Sequence, residues 1–233
     1  MLQSRIFTFN PLATNCVVLW ADGQQACTIV DPGMSSDEGV KDLLDFLGSH
    51  NLTPDAIFLT HGHFDHVWGV DKLLGHFSVP VYMHPADKEI LADGTSVFKG
   101  MQKFKIFQHS IATTDIADGE VLTSAGTDWT VIHTPGHTPG GVCYFSAENS
   151  LLLSGDTLFA GSIGRTDLGG GDYDVLMQSI QQKLLTLPGD TDVIPGHGQP
   201  TSIAQEGMHN PFLQPFNEPE GDSPEEGIVI DGI

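Results

Sequence analysis

The chain has 233 residues, enough for a sizeable core, and its 30 acidic against 9 basic residues give a formal charge of −21. A surface so acidic, with no Lys/Arg-rich run to offset it, repels nucleic acid and anionic lipid. No apolar run approaches membrane-spanning length and no basic-then-apolar leader precedes the first strand pattern, so a soluble, cytoplasmic protein is expected, with neither nucleic acid nor membrane as a partner.

Residues 6–9, 16–20 and 26–31 read as short strands. The last two are joined through Ala21-Asp22-Gly23-Gln24-Gln25, whose Asp-Gly is a hairpin signal. Asp31-Pro32-Gly33 closes the third strand with a turn. Ser36 is placed to cap a helix over 37–47, where Val40, Leu43, Leu44 and Leu47 recur at helical spacing. A strand over 56–60 follows, then a helix over 65–74. This alternation favours an α/β layered architecture. Next come a strand over 79–83 and a short helix over 86–92. Residues 94–111 place Phe98, Phe104, Ile106 and Phe107 unevenly and read as a loop or cap near the site. Strands return over 120–122, 129–133, 141–145 and 151–154. A helix over 172–185 carries Val175, Leu176, Ile180, Leu184 and Leu185 on one side. A strand over 192–194 and a closing helix over 201–208 complete the order, which implies two mixed sheets sandwiched between helices. Residues 1–210 are expected to form the domain. Residues 211–233, where 218–226 holds five acids and two prolines, read as a flexible tail. Cys16, Cys27 and Cys143 lie in apolar strand patterns without Cys-x-x-Cys spacing, as buried reduced thiols do.

The chemistry concentrates in Thr60-His61-Gly62-His63-Phe64-Asp65-His66, where three histidines and an aspartate fall within six residues after an apolar run. Side chains packed this closely waste desolvation energy unless something cationic sits among them. His61 and His63, two apart on extended backbone, share a face. Asp65 and His66 open the next helix and point elsewhere, which suits two metals better than one. Three further strand ends supply polar residues beside glycine: His137 in Thr134-Pro135-Gly136-His137-Thr138-Pro139-Gly140-Gly141, Asp156 in Ser154-Gly155-Asp156-Thr157, and His197 in Pro195-Gly196-His197-Gly198. Active-site groups on α/β sheets gather at strand ends. Five histidines and two aspartates divide into a trio His61, His63, His137 and a set Asp65, His66, His197. Asp156, with two oxygens, is left to bridge. Nitrogen and oxygen donors without thiolates suit two divalent ions, Zn²⁺ first, with Fe or Mn also accepted.

His61-Gly62-His63-Phe64-Asp65-His66 with His137, Asp156 and His197 in these glycine settings resembles the metallo-β-lactamase fold superfamily. Gly136-His137-Thr138-Pro139-Gly140 and Ser154-Gly155-Asp156-Thr157-Leu158-Phe159, continuing to Gly164-Arg165-Thr166-Asp167, are most similar to its hydroxyacylglutathione hydrolase (glyoxalase II) branch. The resemblance implies an αββα four-layer sandwich and a binuclear site. His61, His63 and His137 would hold one metal, Asp65, His66 and His197 the other, and Asp156 would bridge. It implies hydrolysis of thioesters of the S-lactoylglutathione type by a metal-bridging hydroxide, with Asp65 also orienting the nucleophile. The larger glyoxalase II enzymes carry a helical carboxyl-terminal domain with basic contacts to glutathione. Here residues 198–233 contain no Lys or Arg, so the chain is similar to the short glyoxalase II-like proteins and the thiol carrier stays open. The alternative is a mononuclear iron persulfide dioxygenase on the same fold, which uses two histidines and an aspartate.

Asp31 is either an anchor for a ligand histidine or simply the first residue of an Asp-Pro-Gly turn. Arg165 is a candidate for a substrate carboxylate or an ion pair with Asp167 or Asp172. Lys103, with Lys99 and Lys105, can meet an anionic thiol carrier or form a solvated face. His133 reads as structural.

Overall fold

The computed structural model describes residues 1–93 and 110–214. A first sheet runs in the order β1 (Leu2–Phe9), β2 (Thr14–Ala21), β3 (Ala26–Val30), β4 (Thr53–Phe58), β5 (Val81–Met83) and β6 (Thr114–Asp115). Its first three strands pair antiparallel and the rest parallel. The second sheet meanders antiparallel through β7 (Val121–Ser124), β8 (Thr127–His133), β9 (Val142–Ser146) and β10 (Leu151–Gly155). After a small hairpin of β11 (Leu158–Phe159) and β12 (Ser162–Ile163), β13 (Asp192–Pro195) joins β10 in parallel and β14 (Thr201–Ser202) forms the edge.

Side-chain alternation along these strands sets the layers. Val17, Leu19, Val30 and Phe58 point inward against Trp129, Val131, Tyr144 and Leu153, making the core between the sheets. The opposite face of the first sheet, with Val18, Cys27, Ile29 and Ile57, is covered by α1 (Asp37–Ser49), α2 (Phe64–Val67) and α3 (Val70–Leu74). A turn of 3-10 helix at Pro85–Asp87 leads into α4 (Lys88–Asp93). The outer face of the second sheet, with Cys143, Leu152 and Val193, packs on α5 (Tyr173–Ser179), the π-helical turn Ile180–Leu184 and α6 (Ile203–His209). This is the αββα sandwich expected. All three cysteines are buried and free, and burial pushes each thiol up. Among the described residues no helix is long and apolar enough to cross a membrane.

Several expected elements take a different form. The helix expected over 65–74 forms as two short ones, because the Gly69 N–H donates to the Pro32 carbonyl at 2.7 Å and turns the chain there. The helix over 172–185 finishes as a π turn closed by Leu185 N–H on the Ile180 carbonyl. The last helix starts at Ile203, since Thr201 and Ser202 pair with β13 and Ser202 caps it. β6, β11, β12 and β14 are two residues each, too short to leave a period. Leu213, beyond the boundary expected at 210, is buried in the third core. The cap reading of 94–111, with Lys99, Lys103 and Lys105, falls almost wholly outside the described residues, as does the tail from 215 on.

Two bonds stitch the sheets together just below the loop that follows β4. The Tyr144 hydroxyl donates to the Leu59 carbonyl at 2.8 Å, and the Val142 N–H donates to the Thr60 carbonyl at 2.8 Å. Tyr144→Phe keeps the ring's stack on Phe58 and removes one donor to a buried carbonyl. The expected loss is about 1–2 kcal/mol, read as a lower denaturation midpoint at unchanged m-value. An unchanged midpoint would show that this bond does not hold the sheets.

Candidate metal centre

The loops after β4, β8, β10 and β13 bring all seven predicted side chains to one place. His61, His63 and His137 form one group and Asp65, His66 and His197 another, with the donor atoms of each group within 4.8 Å of one another. Asp156 stands between the groups. Its Oδ2 lies 3.4 Å from His137 Nε2 and 3.5 Å from His197 Nε2, and its Oδ1 lies 3.4 Å from His66 Nε2. Glycine lets the chain pass this close: a Cβ on Gly196 would fall 2.3 Å from Asp156 Oδ1 and 2.7 Å from His66 Cε1.

The outer edges of four imidazoles are tied down. His66 Nδ1 donates to Asp31 Oδ2 at 2.9 Å. His61 Nδ1 donates to the Thr60 hydroxyl at 3.0 Å, which donates in turn to the same Asp31 oxygen at 2.6 Å. His137 Nδ1 donates to the Arg165 carbonyl at 2.7 Å, and His197 Nδ1 to the Leu12 carbonyl at 3.0 Å. Each such bond fixes a tautomer and leaves Nε2 as the donor atom facing the centre. His63 is turned the other way, with Nδ1 inward, 2.9 Å from His137 Nε2. Asp31 therefore serves both of its expected readings: its φ of +48° makes the turn, and its carboxylate anchors two rings.

Burial and neighbouring imidazoles hold His61 well below its ordinary value. Burial and His137 push His63 down to about 3. Both are therefore neutral, the form that binds metal. Burial also depresses His66, but Asp156, Asp65 and Asp31 overcome it and raise the ring well above its ordinary value. Burial is likewise outweighed at His197, which contacts with Asp156 and Asp65 raise to about 9. Desolvation opposes ionisation of Asp156, yet His66 and His197 hold its carboxyl well below the usual range. Asp65 is drawn to about 2 against its own burial by His66, His197 and the Thr14 hydroxyl. The centre thus concentrates negative charge that calls for cations.

Two buried atoms test whether metal fits. Among the described residues His61 Nε2 and Asp156 Oδ1 have no hydrogen-bond partner, and an orphaned buried polar atom costs about 1–3 kcal/mol. Both face the centre, where a cation would satisfy them. The nitrogen and carboxylate donors suit Zn²⁺, Fe or Mn.

The centre opens into a cleft of about 330 Å³ walled by Leu12, Phe64, Phe159, Ile163 and Leu168. Arg165 lines it too, but its Nε and a terminal nitrogen bind both oxygens of Asp167 at 2.7 and 2.8 Å. His133 donates to the Pro139 carbonyl and stacks on His84, a structural role. The sequence reading missed the turn between β1 and β2. There Thr14 donates to Asp65 Oδ2 at 2.7 Å, Asn10 donates to the Asp65 carbonyl at 2.9 Å, and Leu12 meets both His197 and the cleft. Its only sequence signal is the Asn10-Pro11 turn pair between two strands.

Asp31→Asn preserves the turn, since Asn tolerates positive φ, and weakens the anchor. It is expected to lower metal affinity about 10- to 100-fold in chelator competition; unchanged affinity would reduce Asp31 to a turn residue. The raised value of His197 sets a pH dependence for metal-stripped protein. A group held above its unfolded value stabilises fully below about 6.5 and loses that contribution as pH rises through about 9. The stability margin of stripped wild type over stripped His197→Gln should therefore shrink between pH 6 and 10; a constant margin would contradict the carboxylate contacts.

Comparison with known proteins identifies the family. The family model for the metallo-beta-lactamase superfamily matches residues 9–197. The probable metallo-hydrolase YqgX of Bacillus subtilis is 41% identical over 93% of this chain and all of its own length. Hydroxyacylglutathione hydrolase GloC of Haemophilus influenzae is 36% identical over 91% of this chain and 98% of its own. Among solved structures, the BLEG-1 B3 metallo-beta-lactamase superposes with a TM-score of 0.76 at 38% identity, covering 91% of this chain and 99% of its own. TTHA1623 in a di-iron-bound form matches with a TM-score of 0.76 at 35% identity, covering 90% and 100%. Family model, identity and fold agree: the chain belongs to the metallo-beta-lactamase superfamily.

Proposed function

We propose that this protein is a binuclear metal-dependent hydrolase of thioesters of the hydroxyacylglutathione type, acting in the cytoplasm. The observation that carries this reading is Asp156, whose two oxygens lie within 3.5 Å of imidazole nitrogens from both groups. His61, His63 and His137 would hold one ion, Asp65, His66 and His197 the other, and Asp156 both. When bound there, two divalent cations supply Lewis acidity and acidify a water towards hydroxide near neutral pH.

The chain's own groups do the rest. Asp65, ionised at neutral pH and fixed by Thr14, lines the cleft and can accept a hydrogen bond from an attacking water, which orients it. Its carboxyl is too acidic to serve as a strong general base. Leu12, Phe64 and Phe159 give the cleft apolar walls against which an acyl group would lie. A thiolate leaves readily without an acid to protonate it, which makes a thioester the fitting substrate. GloC is a hydrolase of this substrate class by name, and TTHA1623 holds two irons, so iron stands beside zinc as the metal. Two complete groups joined by Asp156 favour this reading over a one-iron persulfide dioxygenase. The Arg165–Asp167 pairing favours a structural role for Arg165 over a carboxylate contact.

The test is a panel of S-lactoylglutathione, acyl-coenzyme A and other small thiol esters, with a β-lactam and a persulfide as comparison arms, on metal-replete protein. Thioester turnover is expected, falling about 10²-fold or more in His63→Ala. No turnover of any thioester would sink the reading. Oxygen uptake with sulfite production and one iron per chain would replace it with the dioxygenase.

A further inference from the structure

Asp87 lies outside the seven-residue centre, at the end of the 3-10 turn after β5, and its side chain is fully buried. A buried carboxylate is costly unless its oxygens are satisfied. Here the partners are three neutral donors drawn from two loops. Oδ2 accepts the Gly62 N–H and the Thr138 hydroxyl, each at 2.8 Å, and Oδ1 accepts the Gly140 N–H at 2.6 Å. Burial raises the carboxyl above its ordinary value, and these three donors oppose that rise.

The placement of the donors is informative. Gly62 sits between His61 and His63, and Thr138 follows His137. One carboxylate therefore joins the two loops that carry the whole first group of histidines. It packs so tightly that a Cβ on Gly140 would fall 2.7 Å from Asp87 Oδ1, and one on Gly62 would fall 2.9 Å from the Asp87 carbonyl. Neither oxygen bonds to Asp65, His66 or His197. In the second group, Asp65 and His197 lean on a different support, the turn between β1 and β2, through Thr14, Asn10 and Leu12, while His66 is held by Asp31.

We infer that Asp87 is a positioning residue that holds His61, His63 and His137 as one unit, so that the first metal site can be weakened separately from the second. The inference rests on the binuclear reading. Asp87→Asn puts an amide NH₂ where at least one of the three donors needs an acceptor. Thr138→Val removes one donor without touching the carboxylate, and Thr138→Ser keeps it. Thr14→Val loosens the other support.

The experiment counts zinc per chain and titrates it out with a graded chelator. Wild type is expected to hold two ions. In Asp87→Asn one ion should leave about 10- to 100-fold more readily while the other keeps its affinity. Adding His63→Ala should leave that remaining ion in place, and adding His197→Ala should remove it. Thr138→Val should weaken the same ion as Asp87→Asn by a smaller factor, Thr138→Ser should match wild type, and Thr14→Val should weaken the opposite ion. If Asp87→Asn fails to fold, the Thr138 pair decides the question. A wild type that holds fewer than two ions overturns the binuclear reading, and this inference with it. Two ions in wild type, with both unchanged or both equally weakened in Asp87→Asn and Thr138→Val, overturns the role of Asp87 alone.

Discussion

The burial of Asp65 and Asp156 among five imidazoles governs this structure. Carboxylates taken out of water must be neutralised by a nearby positive charge, and here the choices are a proton on His66 or His197 or a metal cation. Protons satisfy the second group only in part, because His66 and His197 face each other with their Nε2 atoms 3.2 Å apart and cannot comfortably both be charged. They do nothing for His61 Nε2, which has no partner among the described residues. Divalent cations resolve both problems. That is why the neutral first group and the proton-attracting second group sit on either side of one shared aspartate.

The fold exists to present these groups at fixed spacing. The two sheets pack through Phe58, Trp129 and Tyr144, and the Tyr144–Leu59 and Val142–Thr60 bonds lock their ends under the histidine loop. Above that floor, the outer edges of four of the five imidazoles are bound to a backbone carbonyl, a hydroxyl or Asp31. Little conformational entropy is then left to lose when metal binds, so the interaction energy goes into affinity. The cleft floor is the metal centre itself, and much of its apolar wall comes from the turn between β1 and β2 and the β11–β12 hairpin. The hairpin residues Phe159 and Ile163 can vary without replacing a ligand, so substrate choice can change on one fold.

The features legible in the sequence are those whose physics is local. His61 to His66 show their chemistry by crowding alone, and His137, Asp156 and His197 by standing beside glycine at the ends of apolar strands. The continuous apolar run Cys16 to Trp20 marks a strand buried on both faces, and period 3.6 along Val40 to Leu47 marks the helix face that became core. The features that stayed hidden depend on long-range contact. Thr14 reaches Asp65 across 51 positions and His197 reaches Leu12 across 185, so neither pairing leaves a spacing to read. Asp87 looks in sequence like any acid at the start of a helix. The break at Gly69 is decided by the Pro32 carbonyl on another segment. Arg165 was the exception in the other direction: a partner two residues away at Asp167 was visible from the start.

The central claim is that two ions share Asp156. Its most direct test is anomalous diffraction at the metal edge from crystals of metal-loaded protein. The account predicts two peaks per chain, one among His61, His63 and His137 and one among Asp65, His66 and His197, each about 2.0–2.2 Å from an Asp156 oxygen. A single peak, or two peaks with Asp156 bound to only one, would contradict it.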